Sequence, residues 1–304
     1  MNNKITMVWI LLAIFIGVGI MASFFLNRKA IDVSLIVGKQ DASFYRLDFS
    51  NGVISNISID GYLADKPDML VLKEHQKVFV ANKTGMYEIF STDMYIWGNL
   101  ILHNDDVYFI ATETDDKYLE SYIYKYSNGN VERLYNGYID SISALLCDGE
   151  NLLFVEEVES ERPKFPNYVV KKINFRSGDV STVCEGRNIA WKDEKETFFC
   201  TTSGTFFDKG LSVVNVESGM ANVINQDLII LGSPVYNEKH ELLLIVYQDN
   251  DSTGAGGLSI PALLNVNNSK IIDIHTYFRK LLFKWNIKEH LELFSPSNTL
   301  FWSG

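Results

Sequence analysis

The chain has 304 residues, of which 47% are hydrophobic and 13% aromatic, with only six prolines. This apolar, evenly mixed composition excludes a disordered protein and predicts a folded chain with a substantial core. The formal net charge of -11, with no clustered Lys and Arg stripe, argues against a nucleic-acid partner, because phosphate binding depends on clustered cations.

The first element is an apolar run, residues 5–26, which contains 22 positions without a charge between Lys4 and the pair Arg28 and Lys29. At about 1.5 Å per residue, such a helix crosses a hydrocarbon core of roughly 30 Å. We therefore predict a short tail at residues 1–4, a transmembrane anchor at 5–26 and a linker at 27–32. The alternative is a cleaved signal peptide, whose apolar core is usually shorter and ends at small residues.

The side of the membrane depends on two opposing arguments. A count of flanking Lys and Arg keeps the adjoining domain on the cytoplasmic side, whereas long folded domains translocate largely regardless of charge. An N-terminal anchor of this kind commonly exports the domain attached to it, so we expect an extracytoplasmic domain at residues 33–304.

That domain repeats a hairpin pattern, seen best in LLCDGENLLFV at residues 145–155, where a polar turn separates two apolar runs. The same pattern recurs at 101–110, 191–200 and 236–245. The second strands of these four hairpins begin 45 residues apart, at Val107, Leu152, Thr197 and Leu242. A period of this length, made of short strands, is typical of four-stranded propeller blades.

A second type of hairpin alternates with the first and turns at Asn-Gly or Ser-Gly, where glycine supplies the positive φ. These outer hairpins are predicted at 45–57, 122–134, 171–183 and 212–224, with weaker copies at 87–97 and 263–274. Two further inner hairpins, at 69–81 and 291–302, bring both types to six. Alternating inner and outer hairpins give four antiparallel strands per blade.

The sequence therefore predicts an all-β fold, a propeller of six blades preceded by one N-terminal transmembrane helix. Pairing the first outer hairpin, 45–57, with the last inner hairpin, 291–302, would close the ring and remove its exposed edge. Residues 33–37 are left over and would suit the second inner position of a blade. Seven blades, or a strand swap at the closure, are the alternatives.

SPSNTLFW at residues 295–302 resembles the SPDG…L.F hairpin of TolB-type and WD40-like propellers. The resemblance extends over residues 33–304 as a repeat pattern and implies a propeller fold. It carries no site residue, because the sequence has no WD dipeptide, no repeated kelch diglycine, no YWTD and no Asp-box.

The reactive residue types lack the spacings of known catalytic, metal and phosphate sites. Cys147, Cys184 and Cys200 form no CxxC pair, so we expect packed thiols rather than a bridge such as Cys184–Cys200. No histidine lies two or four positions from another, and neither a G-x-S-x-G motif nor a phosphate loop followed by a helix occurs. The sequence predicts no cofactor, no metal site and no catalytic residue.

One apolar or aromatic residue lies six positions before each second inner strand. We predict a repeated core layer at these positions rather than a ligand-stacking ring. The residues are Leu72, Ile101, Leu146, Trp191, Tyr236 and Phe294.

The connections from inner to outer hairpins are long, at residues 111–121, 156–167, 201–210 and 247–257, and all leave one face of a propeller. They make that face acidic, through Glu113, Glu156 and Glu157 among others. We predict that this face binds a basic or cationic partner, or a divalent ion; the alternative is a solvated acidic rim. The candidate binding residues are Asp115, Asp116, Glu159, Glu161, Asp249 and Asp251.

These features predict a non-enzymatic, single-span membrane protein whose propeller acts as a protein-interaction or ligand-sensing module. One alternative is an extracytoplasmic hydrolase or lyase with its site in the central funnel. Another is a structural component of an envelope or secretion assembly.

Overall fold

The structure is a computed structural model, and it describes the protein in separate ranges. These are residues 32–38, 43–58, 70–74, 76–82, 85–113, 120–140, 144–158, 167–193, 196–202, 209–248, 259–274, 294 and 299–303. The predicted anchor at 5–26 lies outside them. In these ranges no helix is long and apolar enough to cross a membrane.

Twenty-three β-strands make up the described fold. In chain order they are β1 (Ser34–Gly38), β2 (Phe44–Asp48), β3 (Val53–Ile57), β4 (Leu70–Glu74), β5 (Lys77–Asn82), β6 (Gly85–Ser91), β7 (Tyr95–His103), β8 (Asp106–Thr112), β9 (Ser121–Ser127), β10 (Asn130–Gly137), β11 (Leu146–Cys147), β12 (Asn151–Val158), β13 (Asn167–Asn174), β14 (Val180–Glu185), β15 (Arg187–Asp193), β16 (Thr197–Thr201), β17 (Lys209–Asn215), β18 (Ala221–Ile230), β19 (Val235–Asn237), β20 (Leu242–Gln248), β21 (Ser259–Asn265), β22 (Ile271–Asp273) and β23 (Thr299–Ser303).

The strands form five antiparallel sheets in the described ranges. The first sheet has the order β23-β1-β2-β3, the second β4-β5-β6, the third β7-β8-β9-β10 and the fourth β11-β12-β13-β14. The fifth, eight-stranded sheet consists of two halves, β15 to β18 and β19 to β22. Only the pairs Ile229 with Gln248 and Ile230 with Tyr247 join β18 to β20.

Turn residues explain why the predicted hairpins form. In the hairpin of β11 and β12, the Asp148 carboxylate accepts hydrogen bonds from the backbone N–H groups of Glu150 and Asn151, and Gly149 has a φ of 96°. In the hairpin of β7 and β8, Asn104 and Asp105 both adopt positive φ, as a tight two-residue turn requires. Local side-chain chemistry thus sets the 45-residue period.

The second strands β8, β12, β16 and β20 are buried on both faces along most of their length, which explains their continuous apolar sequences. On β8, Val107 and Phe109 pack towards the second sheet, whereas Tyr108 and Ile110 pack towards the fourth. On β16, Phe198 packs towards the fourth sheet and Phe199 towards the other half of the eight-stranded sheet. The core is therefore a series of apolar layers between successive sheets.

The ends of the chain meet in the first sheet. β1 pairs with β2 on one side and with β23 on the other, from Ser34 with Ser303 to Gly38 with Thr299. The predicted direct pairing of the 45–57 hairpin with the 291–302 segment is therefore wrong. The left-over strand lies between them, as the strand-swap alternative required, because Leu35 and Val37 fill the core next to Leu242 and Leu244.

The predicted outer hairpin at 87–97 is also wrong. Tyr95 to Trp97 pair with Thr112 to Ile110 of β8 rather than with β6. This places Ile96 in the core beside Phe109 and Ala111, a burial that an outer edge strand does not provide.

Candidate functional site

The candidate site lies at one end of the sheets, where the second strands β8, β12, β16 and β20 finish and the third strands begin. We call this the loop-bearing end. The end pairs Ala111 with Tyr122, Val158 with Asn167, and Gln248 with Ser259 show that the long connections leave from here. The candidate binding residues Asp115, Asp116, Glu159, Glu161, Asp249 and Asp251 all lie outside the described ranges.

Four backbone segments lead into, or begin, the inner strand of a unit at this end. We call 95–97, 138–140, 186–188 and 229–231 the crossover segments. Each runs beside the last residues of a second strand, as Ile139 does beside Glu156 and Arg187 beside Thr201. We call these four segments together the floor of the loop-bearing end.

Glu156 does not contribute to a solvated acidic face. β12 extends to Val158, so Glu156 belongs to the strand and is only 7% exposed, whereas its neighbour Glu157 is exposed. The expectation that Glu156 forms part of the acidic connection is wrong, because strand pairing with β13 continues past it.

The Glu156 carboxylate is the centre of a polar cluster between two sheets. It forms an ion pair with Lys171 of β13, and the Tyr135 hydroxyl of β10 donates to its Oε1 at 2.9 Å. The Lys171 Nζ also donates to the Tyr135 hydroxyl at 3.1 Å and lies 5.6 Å from the centre of that ring. We call Tyr135, Glu156 and Lys171 the inter-sheet triad.

The surroundings of the triad fix its charge state. Burial favours neutral Lys171, but its hydrogen bonds to Glu156 and Tyr135 outweigh burial and raise its pKa. Burial raises the pKa of Tyr135, and the Glu156 carboxylate adds to that effect. At neutral pH Lys171 is therefore a charged ammonium and Tyr135 a protonated phenol.

Sequence reasoning missed this triad, although the repeat held the signal. The equivalent positions are Ala111 and Thr201, one period from Glu156, and Val246, two periods away. A carboxylate therefore appears once, at a strand position that is small or apolar in the neighbouring units. A charged residue that departs from the repeat in this way indicates a specific partner.

A second ion pair joins two crossover segments. Arg187 Nη2 lies 3.0 Å from Asp140 Oδ2, and Arg187 Nε donates to the same oxygen at 3.1 Å. The guanidinium also stacks on Tyr168, 4.1 Å from the ring centre. Both charged side chains are largely buried, so this pair stabilises the floor of the site.

Asn188 extends the chain of contacts to the next crossover segment. Its Nδ2 donates to Thr201 Oγ1 at 3.1 Å and to the Ile230 carbonyl at 3.2 Å. Thr201 Oγ1 in turn donates to the Arg187 carbonyl at 2.9 Å. Three successive crossover segments are thus connected by side-chain hydrogen bonds.

The groups that the floor presents to solvent are mainly apolar. Tyr138 is 59% exposed, and Tyr95, at the equivalent place on its own segment, and Leu231 are also exposed. Because Asp140, Glu156, Lys171 and Arg187 are engaged with one another, the described floor offers a rim of aromatic and aliphatic side chains on a rigid base. Such a surface suits the contact of a macromolecule.

The predicted core layer is confirmed at the positions whose side chains are described. Each of them is buried or half-buried and packs on an apolar cluster. These residues are Ile101, Leu146, Trp191, Tyr236 and Phe294; the Leu72 side chain lies outside the described part.

The three cysteines are free thiols, as predicted. Over the described ranges, no group of three or more His, Cys, Asp or Glu side chains is arranged to hold a metal ion.

No family model and no curated protein matches the sequence. The fold is similar to that of TolB from Acinetobacter baumannii, with a TM-score of 0.52 and 12% identity over 79% of this chain and 62% of that one. It is similar to a protein assigned as TolB from Agrobacterium tumefaciens, with a TM-score of 0.53 and 11% identity over 80% and 88%.

A third similar structure is oligogalacturonate lyase in complex with manganese, with a TM-score of 0.53 and 9% identity over 76% of this chain and 69% of the lyase. This chain thus spans less than two thirds of the Acinetobacter protein. At such identities the likeness concerns the fold alone. The described strands therefore form an all-β fold similar to the TolB-type β-propellers.

Proposed function

We propose that the protein is a six-bladed propeller, anchored in a membrane by residues 5–26, whose loop-bearing end binds a cationic protein partner outside the cytoplasm. Six blades are supported by the innermost strands, since β4, β7, β11, β15, β19 and β23 contact one another in succession. The six proposed blades are the first to fourth sheets and the two halves of the eight-stranded sheet.

The observation that carries the proposal is the contrast between the floor and the connections. The buried charges at the floor are paired with one another, and the floor exposes Tyr95, Tyr138 and Leu231. The connections that leave from this end carry the candidate acidic residues in their sequence. Exposed apolar side chains together with acidic adjoining segments are suited to a partner segment with apolar and basic residues.

The experiment compares two charge-neutralised variants of the full chain in a pull-down from detergent-solubilised membranes. The test variant replaces Asp115 and Asp116 by Asn, and Glu159 and Glu161 by Gln. The control replaces four exposed acids at the opposite, hairpin-turn end. They are Asp105, Glu150, Glu196 and Glu238.

With exposed ion pairs at about 0.5 kcal/mol each, four lost pairs amount to about 2 kcal/mol. That corresponds to about 30-fold weaker binding. The control should bind the same protein as wild type, since its net charge changes equally. Equal recovery by the test variant would show that the connections do not form the binding surface.

The membrane assignment has its own test. A reporter that is active only outside the cytoplasm is fused after Gly304, and its activity is measured in whole cells. We expect activity with the natural N-terminus and none after residues 5–26 are deleted. Activity of the deleted form would remove the anchor proposal.

A second candidate is a lyase, because one similar fold is that of oligogalacturonate lyase. Incubation of the purified chain with oligogalacturonate and Mn²⁺ would reveal cleavage as the appearance of unsaturated products. We expect no product from the binding protein proposed above, so turnover would favour the lyase.

A further inference from the structure

Two thiols from different sheets meet inside one apolar layer. Cys184 belongs to β14, the outer strand of the fourth sheet, and Cys200 belongs to β16 in the eight-stranded sheet. Cys184 packs on the cluster that contains Cys200, Val170 and Val214. Both thiols are free, and Cys200 lies near enough to Cys184 to perturb its pKa.

The two thiols differ in their access to solvent. Cys200 is 1% exposed, and its thiol lies 3.6 Å from the Arg187 carbonyl and 3.5 Å from the Thr201 carbonyl. Cys184 is half-buried and can be reached from outside. The nearby Cys200 thiol lowers the pKa of Cys184, and this effect exceeds the opposing effect of burial. Cys184 is thus the more reactive of the two.

The backbone between the two cysteines passes directly against the buried sulfur. Gly186, two residues after Cys184, has a φ of 137°, and a Cβ placed on it would lie 2.5 Å from Cys200 Sγ. Any larger residue would push this segment away from Cys200. The glycine therefore brings the end of β14 close enough for its thiol to meet Cys200.

We propose that Cys184 and Cys200 are a disulfide-forming pair, oxidised by a disulfide compound through thiol–disulfide exchange. The Cys184 thiolate attacks one sulfur of the oxidant, forming a mixed disulfide and releasing the first oxidant thiol. Cys200 then gives up its proton and attacks the Cys184 sulfur, which releases the second oxidant thiol. Two protein thiols lose two electrons and two protons, and the oxidant is reduced to two thiols.

The bond would fix one crossover segment of the candidate site. The ring that it closes runs from residue 184 to 200 and contains Arg187 and Asn188, which hold the neighbouring crossover segments. Closing a ring of about 15 residues restricts the unfolded chain and should raise Tm by about 5 °C for a domain of this size. This inference is independent of the partner proposed above.

Cys147 provides an internal control. It is half-buried, packs on a different cluster from Cys184 and Cys200, and burial raises its pKa. It should therefore stay reduced under conditions that oxidise the pair.

The experiment treats the reduced, detergent-solubilised full chain with glutathione disulfide, denatures it and labels the remaining thiols with an alkylating reagent. Peptide mass spectrometry should find label on Cys147 only, with the peptides of Cys184 and Cys200 linked and lighter by two hydrogens. The oxidised chain should also melt about 5 °C above the reduced chain, a difference that Cys184→Ser abolishes.

Three outcomes would overturn the proposal. The first is label on all three cysteines after oxidation, and the second is glutathione retained on Cys184. The third is a linkage that involves Cys147. If the two cysteines were linked but Tm did not change, the disulfide would not stabilise the crossover segment. Because oxidised and reduced samples come from the same folded chain, a folding defect of a variant does not affect the result.

Discussion

Replacing Lys171 by Met should destabilise the protein by about 3 kcal/mol. The substitution approximately keeps the side-chain volume of Lys171 but removes the counter-ion of the Glu156 carboxylate. Glu156 is only 7% exposed, so water cannot replace that counter-ion. Breaking a buried pair costs about 3 to 5 kcal/mol. The lower end applies here because the Lys171 side chain is 21% exposed and Tyr135 still donates to the carboxylate.

The repeat supplies the matched rescue. Thr201 and Val246 occupy the positions equivalent to Glu156 in the next two units. Val is therefore compatible with the strand geometry at this position. Combining Glu156→Val with Lys171→Met removes both charges, and we expect a stability within about 1 kcal/mol of wild type. The second substitution should therefore restore most of the stability that the first removes.

The assay is equilibrium unfolding in urea, followed by tryptophan fluorescence at pH 7. Lys125→Met is the control, because its pair with Asp106 is more exposed, at 28% and 19%, and should cost only about 1 kcal/mol. The reasoning would be refuted if the double variant were no more stable than Lys171→Met alone, since the buried charge would then not be the source of the loss.

Three further predictions concern hydroxyls, closure and pH. Ser212 is buried and its hydroxyl has no hydrogen-bond partner among the described residues, so Ser212→Ala should be neutral or stabilise the protein by up to about 1 kcal/mol. The Thr201 hydroxyl, by contrast, donates to the Arg187 carbonyl, so Thr201→Val should cost about 2 kcal/mol in the same urea assay. Trp302 packs on the apolar cluster beside the first sheet, and its Nε1 donates to the Val235 carbonyl at 3.2 Å. Trp302→Ala should therefore destabilise the protein by about 3 kcal/mol, measured by thermal melting. An unchanged Tm would count against closure of the ring through β23. Burial would raise the pKa of Asp106, but hydrogen bonds, led by that from Lys125, hold it below its ordinary value of about 4. Its stabilising effect is therefore present above pH 4 and lost below it, so Asp106→Asn should be less stable than wild type at pH 7 and equal to it near pH 2.

Local chemistry made much of the fold predictable. Turns such as Asp148-Gly149 and Asn104-Asp105 specify hairpins through their own side chains and φ angles, and they recur with the 45-residue period. Apolar second strands result from burial on both faces. The inner and outer hairpins and the TolB-like architecture were therefore accessible from the sequence.

Pairing between distant segments was less predictable. Residues 33–37 show a strand pattern, but only the packed structure places that strand between β2 and β23. Tyr95 to Trp97 likewise look like the second half of a hairpin and instead pair with β8, because burying Ile96 there is more favourable. Strand propensity is a local property, whereas the choice of partner depends on which neighbour can bury the side chain.

The candidate site shows the same division. Composition and spacing alone show that long acidic connections come after the second strands, since both can be read directly along the chain. Packing of the sheets was needed to bury Glu156 against Lys171 and Tyr135, and to bring Cys184 to Cys200. These contacts join side chains from different sheets, and their energy depends on distances and on the exclusion of water that arise only when the sheets pack together.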